Sequence, residues 1–212
     1  MIKSKTELEI ILEKVKGFES PKLSLEQYRL PATVAAEILW YIQMKFNDIF
    51  EKIIVDLGCG TGILGIGCVL LGAKYVIGID IDKKAIKEAR RTSIEFGILE
   101  KIDFILGDVK NLNLKVVDVV IQNPPFGVRK KGADRDFIIT GLRIAPKVYS
   151  IHKSGEKVHK FILNFVEKLG GKVEEVIPLK IKLPHSYHFH KKKFHEFEAN
   201  LYKIVRRENH VK

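Results

Sequence analysis

The residue types best able to do chemistry lie in two short stretches, and each stretch directly follows an apolar run. The first is Asp56-Leu57-Gly58-Cys59-Gly60-Thr61-Gly62, after the β-branched run 53–55. Glycine allows a tight turn and lets a ligand approach the backbone without a Cβ in the way. The second is Asn123-Pro124-Pro125-Phe126, after the apolar run 116–122. Consecutive prolines fix φ and remove N–H donors, so the carbonyl groups of this tetrapeptide are held rigidly.

Two acids stand where a nucleotide-like cofactor would need them. Asp80 ends the apolar run 75–80, where a carboxylate can accept hydrogen bonds from two ribose hydroxyls. Asp108 is suited to accept a hydrogen bond from an adenine amino group, although a helix or turn cap explains it equally well. Gly60-x-Gly62-x-x-Gly65 also matches the dinucleotide-binding spacing, so an NAD(P) oxidoreductase is a competing hypothesis.

The tetrapeptide favours transfer of a methyl group to an exocyclic amine. Such an amine is a poor nucleophile because its lone pair is delocalised into the ring. If the Asn123 side-chain oxygen and the Pro124 carbonyl accept its two hydrogens, the nitrogen moves toward tetrahedral geometry and its lone pair becomes available. Pro125 keeps the segment rigid, and Phe126 offers a flat face for a base taken out of its stack.

The elements that must position these residues alternate between strands and helices, which predicts a mostly parallel sheet. Apolar spacing predicts a helix over 3–16, stopped by Gly17, and a second from an N-cap at Thr33 to about Asn47. The expected strands that follow are 53–57, 75–80, 102–106, 116–122 and 147–152. The expected helices between them are 63–71, 83–96, 134–145 and 155–169.

The chain finishes with two strand-like segments, 172–183 and 194–205, without a helix between them. This order predicts an antiparallel hairpin at one end of the sheet. We therefore expect an α/β protein with a Rossmann-like, seven-stranded sheet, N-terminal helices and a C-terminal antiparallel hairpin. One domain would span residues 1–212, with the helical segment 1–48 packed on the core 49–205.

Composition narrows the choice of partners. There are 37 Lys and Arg residues against 26 Asp and Glu, a net charge of +11, which favours RNA or DNA over an acidic membrane surface. Cys59 and Cys68 both fall in the expected core, which predicts a reduced, cytoplasmic protein. No apolar run approaches the ~20 residues of a membrane helix, and the N-terminus does not resemble a signal peptide, so we expect no membrane association.

Two basic segments are expected to contact nucleic acid. Arg129-Lys130-Lys131 lies between two glycines directly after the tetrapeptide, which predicts a mobile loop over the target base. His190-Lys191-Lys192-Lys193 belongs to the segment His185–His195, which mixes cations with aromatic residues. No metal site is expected in that segment, because its four histidines come without a carboxylate or cysteine at a known ligand spacing and beside three lysines.

Taken together, the glycine turn, the two acids and the tetrapeptide resemble the S-adenosylmethionine-dependent methyltransferases that modify exocyclic amino nitrogens. Leu25-Glu26-Gln27-Tyr28, Pro146–Lys153 and Tyr187–Lys193 are also similar to the small-subunit ribosomal RNA adenine-N6 methyltransferases of eukaryotes and their archaeal relatives. This similarity covers about residues 23–205. It implies the seven-stranded methyltransferase sheet, and S-adenosyl-L-methionine as the cofactor.

The resemblance also implies a set of site residues. Those that would form the cofactor pocket are Gln27, Tyr28, Leu30, Asp56, Gly58, Gly60, Thr61, Gly62, Ile63, Asp80, Ile81, Asp108, Val109 and Asn123. In the family a Pro-Thr pair directly follows the tyrosine, whereas here Arg29-Leu30 intervene, so either Leu30 or Thr33 stands at the methionine end. Eukaryotic members work with a small zinc-containing partner protein, which the resemblance implies as a candidate activator of this chain.

The expected function is therefore methyl transfer to adenine N6 in structured RNA, with small-subunit rRNA as the implied substrate. Two alternatives share this chemistry, namely methylation of DNA adenine and of a protein glutamine, whose amide nitrogen poses the same lone-pair problem. Enzymes of the glutamine class usually carry Tyr where Phe126 stands. An NAD(P) oxidoreductase and a non-catalytic RNA-binding module are the alternatives outside methyl transfer.

Overall fold

A computed structural model describes residues 2–127, 132–184 and 194–207. The helices are α1 (Lys5–Leu12), α2 (Ala32–Phe46), α3 (Ile63–Leu70), α4 (Lys83–Glu95), α5 (Ala133–Ile144) and α6 (Glu156–Lys168). The strands are β1 (Ile53–Leu57), β2 (Tyr75–Asp80), β3 (Ile102–Leu106), β4 (Val119–Gln122), β5 (Lys147–Lys153), β6 (Gly171–Pro184) and β7 (Phe194–Arg206). Within the described residues, no helix has the length and apolar character that crossing a bilayer requires.

The strands form one mixed sheet in the order β3-β2-β1-β4-β5-β7-β6. Strands β1 to β5 are parallel, and β7 runs antiparallel to both β5 and β6. The prediction of a seven-stranded Rossmann-like sheet with a C-terminal antiparallel hairpin is confirmed. The chain builds outward from β1 to β3 and then crosses to β4, so the sheet has its topological switch point between β1 and β4. Ligands of such sheets bind outside the carboxyl ends of the strands at this point.

Successive residues of the central strands point to opposite faces of the sheet and bury two separate cores. On one face, Ile54 and Val119 join α1, α2 and α3 in a large apolar cluster. On the other, Val55 and Val120 pack with α5 and α6. Because both faces are covered, the central strands β1 and β4 are mostly apolar, and their polar residues Asp56 and Gln122 stand near the carboxyl ends.

Both N-terminal helices differ from their predicted bounds. The first ends at Leu12 rather than near residue 16, because the Arg29 side chain donates hydrogen bonds to the carbonyl groups of Leu12 and Glu13, at 3.3 and 3.0 Å. The prediction of Thr33 as the N-cap of the second helix is wrong. The cap is Pro31, whose carbonyl accepts from the Ala35 backbone N–H at 2.9 Å, and Thr33 is exposed in the first turn.

The fourth strand begins three residues later than predicted. Val116 is 66% exposed, and the side chain of Asp118 accepts a hydrogen bond from the Ile53 backbone N–H at 2.7 Å. Residues 116–118 therefore lead into the sheet and are not part of the strand. The terminal hairpin agrees with its prediction to within one residue at each strand end described.

Candidate active site

A cavity of about 210 Å³ lies at the carboxyl ends of β1, β2 and β4. Its walls come from the N-terminal segment 18–30, the glycine turn after β1, the residues after β2 and β3, the tetrapeptide after β4 and the start of α5. The cavity therefore sits at the topological switch point of the sheet. This is the position that the strand order predicts for a nucleotide-like ligand.

The glycine turn is held to the end of β2 by the Asp80 carboxylate, which accepts hydrogen bonds from backbone N–H groups. Gly58, Gly60 and Gly62 have φ values of 68°, 54° and 88°, in the left-handed region that favours glycine. One oxygen of the Asp80 carboxylate accepts from the Gly60 N–H at 2.8 Å, and the other accepts from the Asp82 N–H at 2.8 Å. Burial raises the pKa of Asp80. This carboxylate fixes the turn, as well as lining the cavity.

Asp56 is a buried acid with one oxygen in use. Its Oδ2 accepts a hydrogen bond from the Gly65 backbone N–H at 2.8 Å, whereas its Oδ1 has no hydrogen-bond partner among the described residues. Burial raises the pKa of Asp56 to about 7. An unpartnered carboxyl oxygen is costly in a buried position, and this residue lines the cavity. It marks a place where a donor group of a ligand would be stabilised.

The N-terminal segment is fastened over the cavity through Asp82, which caps α4. Its Oδ1 accepts from the Lys22 ammonium group at 2.8 Å, and its Oδ2 accepts from the Gln27 amide at 2.9 Å. The Gln27 side-chain oxygen in turn accepts from the Lys22 backbone N–H at 2.8 Å. Burial acts to raise the pKa of Asp82, but the bonds from Gln27 and Lys22 outweigh it and lower that pKa. We call this set of three residues the Asp82 latch.

Asn123 stands where the cavity meets an aromatic cluster. The Tyr28 hydroxyl donates a hydrogen bond to the Asn123 Oδ1 at 2.9 Å. The Tyr28 ring lies 6.0 Å from the ring of Phe126 and 6.2 Å from that of Phe197, measured between centroids. Phe126 and Phe197 meet edge to face at 5.5 Å. We call Tyr28, Phe126 and Phe197 the aromatic cluster.

A buried polar chain secures the end of β4 just before Asn123. The Gln122 amide donates to the Ser150 hydroxyl at 2.9 Å, and that hydroxyl lies 2.6 Å from the Nε2 of His152. Burial lowers the pKa of His152 to about 3, so its ring is neutral at physiological pH. These bonds tie β4 to β5 and fix the backbone from which the tetrapeptide starts.

Most of the predicted site residues come together around the cavity. Those that line it are Gln27, Tyr28, Leu30, Asp56, Gly58, Gly60, Thr61, Ile63, Asp80, Ile81, Asp108, Val109, Asn123, Pro124 and Pro125. Gly62 does not line it; a Cβ there would lie 3.1 Å from the Cβ of Ala89, so this glycine allows α4 to pack closely. Phe126 lies in the aromatic cluster beyond the cavity. Leu30 is buried in the cavity wall, and Thr33 is not part of it.

Three aromatic side chains of the site were missed in the sequence. A Cβ on Gly60 would come within 2.8 Å of the Phe18 ring, and one on Gly58 within 2.8 Å of the Phe137 ring. Phe197 completes the aromatic cluster from β7. Phe18 lies in an irregular segment and the other two in regular elements, so no local pattern distinguishes them from core residues. The basic residues Arg129-Lys130-Lys131 and His190-Lys191-Lys192-Lys193 lie outside the described residues.

Comparison with known proteins assigns this chain to a family. Residues 38–124, from α2 to the second residue of the tetrapeptide, match the ribosomal protein L11 methyltransferase (PrmA) family. Over nearly its whole length the chain is similar to the rRNA N(6)-adenosine-methyltransferase METTL5 of Danio rerio. The two are 39% identical over 94% of this chain and 97% of the relative.

The chain belongs to the rRNA N(6)-adenosine-methyltransferase family. A crystal structure of a proposed RNA methyltransferase of this size, PH1948 from Pyrococcus horikoshii, is 41% identical with a TM-score of 0.88, and the match covers 97% of this chain and 99% of that one. The magnesium protoporphyrin IX methyltransferase of Synechocystis, solved with bound SAH (S-adenosylhomocysteine), shares the fold at 16% identity. Its TM-score is 0.62, over 82% of this chain and 81% of that one. The fold is that of the S-adenosylmethionine-dependent methyltransferases.

Proposed function

We propose that this member of the rRNA N(6)-adenosine-methyltransferase family transfers a methyl group to the N6 of an adenine in ribosomal RNA. The observation that carries this proposal is the position of Asn123. Its carboxamide lies in the wall of a nucleotide-type cavity and directly beside the aromatic cluster. An amine that reached this carboxamide would therefore have a cofactor site on one side and a stacking surface on the other.

The cavity residues fit S-adenosyl-L-methionine. Gly58 and Gly60 bring backbone to the cavity wall, while Asp80 ends β2 and Asp108 follows the neighbouring strand β3. The unpartnered Oδ1 of Asp56 supplies an acceptor that the protein itself leaves unused. We infer that Asp80 holds the ribose hydroxyls and Asp108 the adenine amine, with Gln27, Tyr28 and Leu30 closing the other side.

When bound, S-adenosyl-L-methionine supplies an electrophilic methyl group attached to its sulfur. Once the methyl carbon is bonded to the nitrogen, S-adenosylhomocysteine remains as the second product. The task of Asn123 and Pro124 is to accept the two hydrogens of the amine, so that the nitrogen lone pair is freed from the ring. Phe126 offers its ring to stack against the base, because this ring lies in the aromatic cluster directly beside Asn123. A strongly basic residue is not needed, because the methylated nitrogen is acidic until it loses its proton to water.

Several finer assignments belong to this proposal. We infer small-subunit rRNA as the substrate, from the resemblance of segments 25–28, 146–153 and 187–193 to enzymes of that kind. The net charge of +11 supports an RNA partner, for which Arg129-Lys130-Lys131 and His190-Lys191-Lys192-Lys193 are the proposed contacts. A cytoplasmic location and a small zinc-containing activator protein are further parts of the same proposal.

A protein substrate is the second candidate, and the match of residues 38–124 to the L11 methyltransferase family favours it. That match ends within the tetrapeptide, so it covers the cofactor side of the site and leaves out Phe126, α5 and the hairpin. The experiment that separates the candidates uses labelled S-adenosyl-L-methionine with ribosomal subunits, total RNA and ribosomal proteins. N6-methyladenosine in the digested RNA supports the proposal; label confined to protein would contradict it.

Thermal-shift measurements test the cofactor separately. Stabilisation by S-adenosyl-L-methionine or S-adenosylhomocysteine is expected, because a ligand that binds only the folded chain raises its unfolding temperature. Stabilisation by NAD instead would favour the oxidoreductase hypothesis. RNA binding with no methyl transfer, and no response to either cofactor, would favour a non-catalytic RNA-binding module.

A further inference from the structure

Tyr28 is the residue that touches both halves of the proposed site. It lines the cofactor cavity together with Asn123, whereas the rings of Phe126 and Phe197 lie beyond the cavity lining. The Tyr28 ring nevertheless contacts both of these rings, at centroid distances of 6.0 and 6.2 Å. Tyr28 thus forms the wall between the space for the cofactor and the space for the base.

The hydroxyl of Tyr28 is committed to the Asn123 carboxamide. It donates to the Oδ1 at 2.9 Å, and no second hydrogen-bond partner for it occurs in the described part of the chain. Burial raises the pKa of Tyr28, so the hydroxyl keeps its proton and remains a donor at physiological pH. A carboxamide oxygen has two lone pairs, and one remains for a second donor after the bond from Tyr28.

The orientation of this carboxamide decides whether it can serve an amine. One end of the amide accepts hydrogen bonds and the other end donates them, so a half-turn exchanges the two. An NH₂ group facing the N–H groups of the substrate would make no hydrogen bond and would not draw the amine toward tetrahedral geometry. In the turned orientation the Tyr28 hydroxyl would also lose the acceptor for its hydrogen, which is unfavourable for a buried group.

We propose that Tyr28 is a positioning residue that holds the Asn123 carboxamide with its oxygen available to the substrate amine. This inference rests on the proposed function only in naming the amine as adenine N6. The hydrogen bond and its consequence for the carboxamide orientation are properties of the protein without any ligand. The bond joins the N-terminal segment, which forms one wall of the cavity, to Asn123 directly after β4.

The test compares Tyr28→Phe in two backgrounds. Tyr28→Phe keeps the ring and removes only the hydroxyl, so we expect kcat for methyl transfer to fall about tenfold, as for loss of one hydrogen bond, with KM little changed. In the Asn123→Asp background the side chain has two equivalent oxygens and no donor end, so its orientation no longer matters. There Tyr28→Phe should change kcat less than about twofold, within ordinary variation between sites.

Equal losses of kcat in the two backgrounds would overturn the inference, because a tyrosine that contributes only by packing would lower kcat by the same factor in both when it is replaced. An unchanged kcat of Tyr28→Phe in the native background would overturn it as well. Tyr149→Phe is the matched control: its hydroxyl is also buried and donates to Asp48 at 2.7 Å, and Tyr149 does not line the cavity. Its loss should lower the unfolding temperature and leave kcat unchanged.

A second readout needs neither cofactor nor RNA. The side-chain NH₂ resonances of Asn123, assigned by their absence in Asn123→Asp, should shift in the nuclear magnetic resonance spectrum of Tyr28→Phe. Unchanged resonances would contradict the hydrogen bond itself. If the wild-type protein methylates no adenine, the proposed function fails while this spectrum still tests the hydrogen bond between Tyr28 and Asn123.

Discussion

The ring of Phe18 lies against the α-carbon of Gly60, so closely that a Cβ on Gly60 would come within 2.8 Å of the Phe18 Cζ. This contact joins the N-terminal segment to the glycine turn within the protein itself, without a ligand. Together with the Asp82 latch, it places residues 18–30 as one wall of the cofactor cavity. The cavity that we propose for the methyl donor is therefore built by the N-terminal segment and the sheet jointly.

Gly60→Ala should weaken both stability and cofactor binding. The substitution combines a left-handed φ of 54° with a clash against Phe18, so we expect a loss of roughly 2–4 kcal/mol in the free energy of unfolding. Gly97→Ala is the control, because its φ is 66° and nothing lies within 4 Å of its added Cβ. Urea denaturation and calorimetric titration with S-adenosylhomocysteine measure the two effects. Equal losses at both positions would show that the Phe18 contact is unimportant.

Asn123→Ala should abolish turnover while leaving cofactor affinity within a few-fold. The variant removes an acceptor for the substrate amine, for which a loss of about 10²–10³ in kcat is expected. Single-turnover methyl transfer to RNA and titration with S-adenosylhomocysteine measure the two quantities. Asn111→Ala, an exposed asparagine, is the control. A fully active Asn123→Ala variant would refute the role assigned to this side chain.

Asp56 should make the stability of the ligand-free protein depend on pH. Its pKa is about 7 in the folded chain, against an ordinary value of 3.8, so the folded state retains a proton that the unfolded chain releases between these values. This contribution is full below about pH 4 and is lost as the pH rises through 7. Asp56→Asn should therefore gain stability relative to wild type, on the order of 4 kcal/mol, between pH 4 and 8.

Urea denaturation across that pH range measures the effect of Asp56→Asn. Glu100→Gln, at an exposed position, is the control for removing a carboxylate, and its difference from wild type should stay nearly constant. A pH-independent difference for Asp56→Asn as well would mean that the Asp56 carboxyl is ionised throughout the range.

The Asp82 latch should control how firmly residues 18–30 close the cavity. Asp82→Ala removes the acceptor for both Lys22 and Gln27, so faster trypsin cleavage within this segment is expected, with cofactor affinity reduced about tenfold. Glu95→Gln, which breaks an exposed ion pair with Lys16, is the control. Limited proteolysis with and without S-adenosylhomocysteine measures closure. Wild-type cleavage rates in Asp82→Ala would contradict a fastening role.

Neutralising Arg129, Lys130 and Lys131 should weaken RNA binding and flatten its dependence on salt. Each lost phosphate contact reduces the slope of log K against log salt by about 0.7–0.9. Neutralising Lys74, Lys168 and Lys172 removes the same charge at exposed positions at the opposite edge of the sheet, where strands begin. Fluorescence anisotropy with an rRNA fragment at several salt concentrations measures the salt slope of each of the two triple variants. An unchanged slope after neutralising Arg129, Lys130 and Lys131 would mean that these residues do not contact RNA phosphates.

Prediction from the sequence was accurate for the chemistry-bearing residues that follow the apolar runs. The glycine turn, the acids at strand ends and the tetrapeptide after β4 each follow an apolar run, and parallel strands must bring their carboxyl ends to one edge. The predicted helix ends failed where a distant group intervenes. The Arg29 side chain, for example, takes the carbonyl groups that a longer first helix would have used.

The sequence by itself determined the order of the glycine turn, the two acids and the tetrapeptide along the chain, and it predicted S-adenosyl-L-methionine as the cofactor. Only the tertiary structure decided that Phe18 packs on Gly60, that Gln27 and Lys22 meet at Asp82, and that Tyr28 holds Asn123. Each of these contacts joins residues that are 40 or more positions apart. The strength of these contacts depends on the distance between the two residues and on their burial in the folded chain. Local residue patterns predict neither quantity.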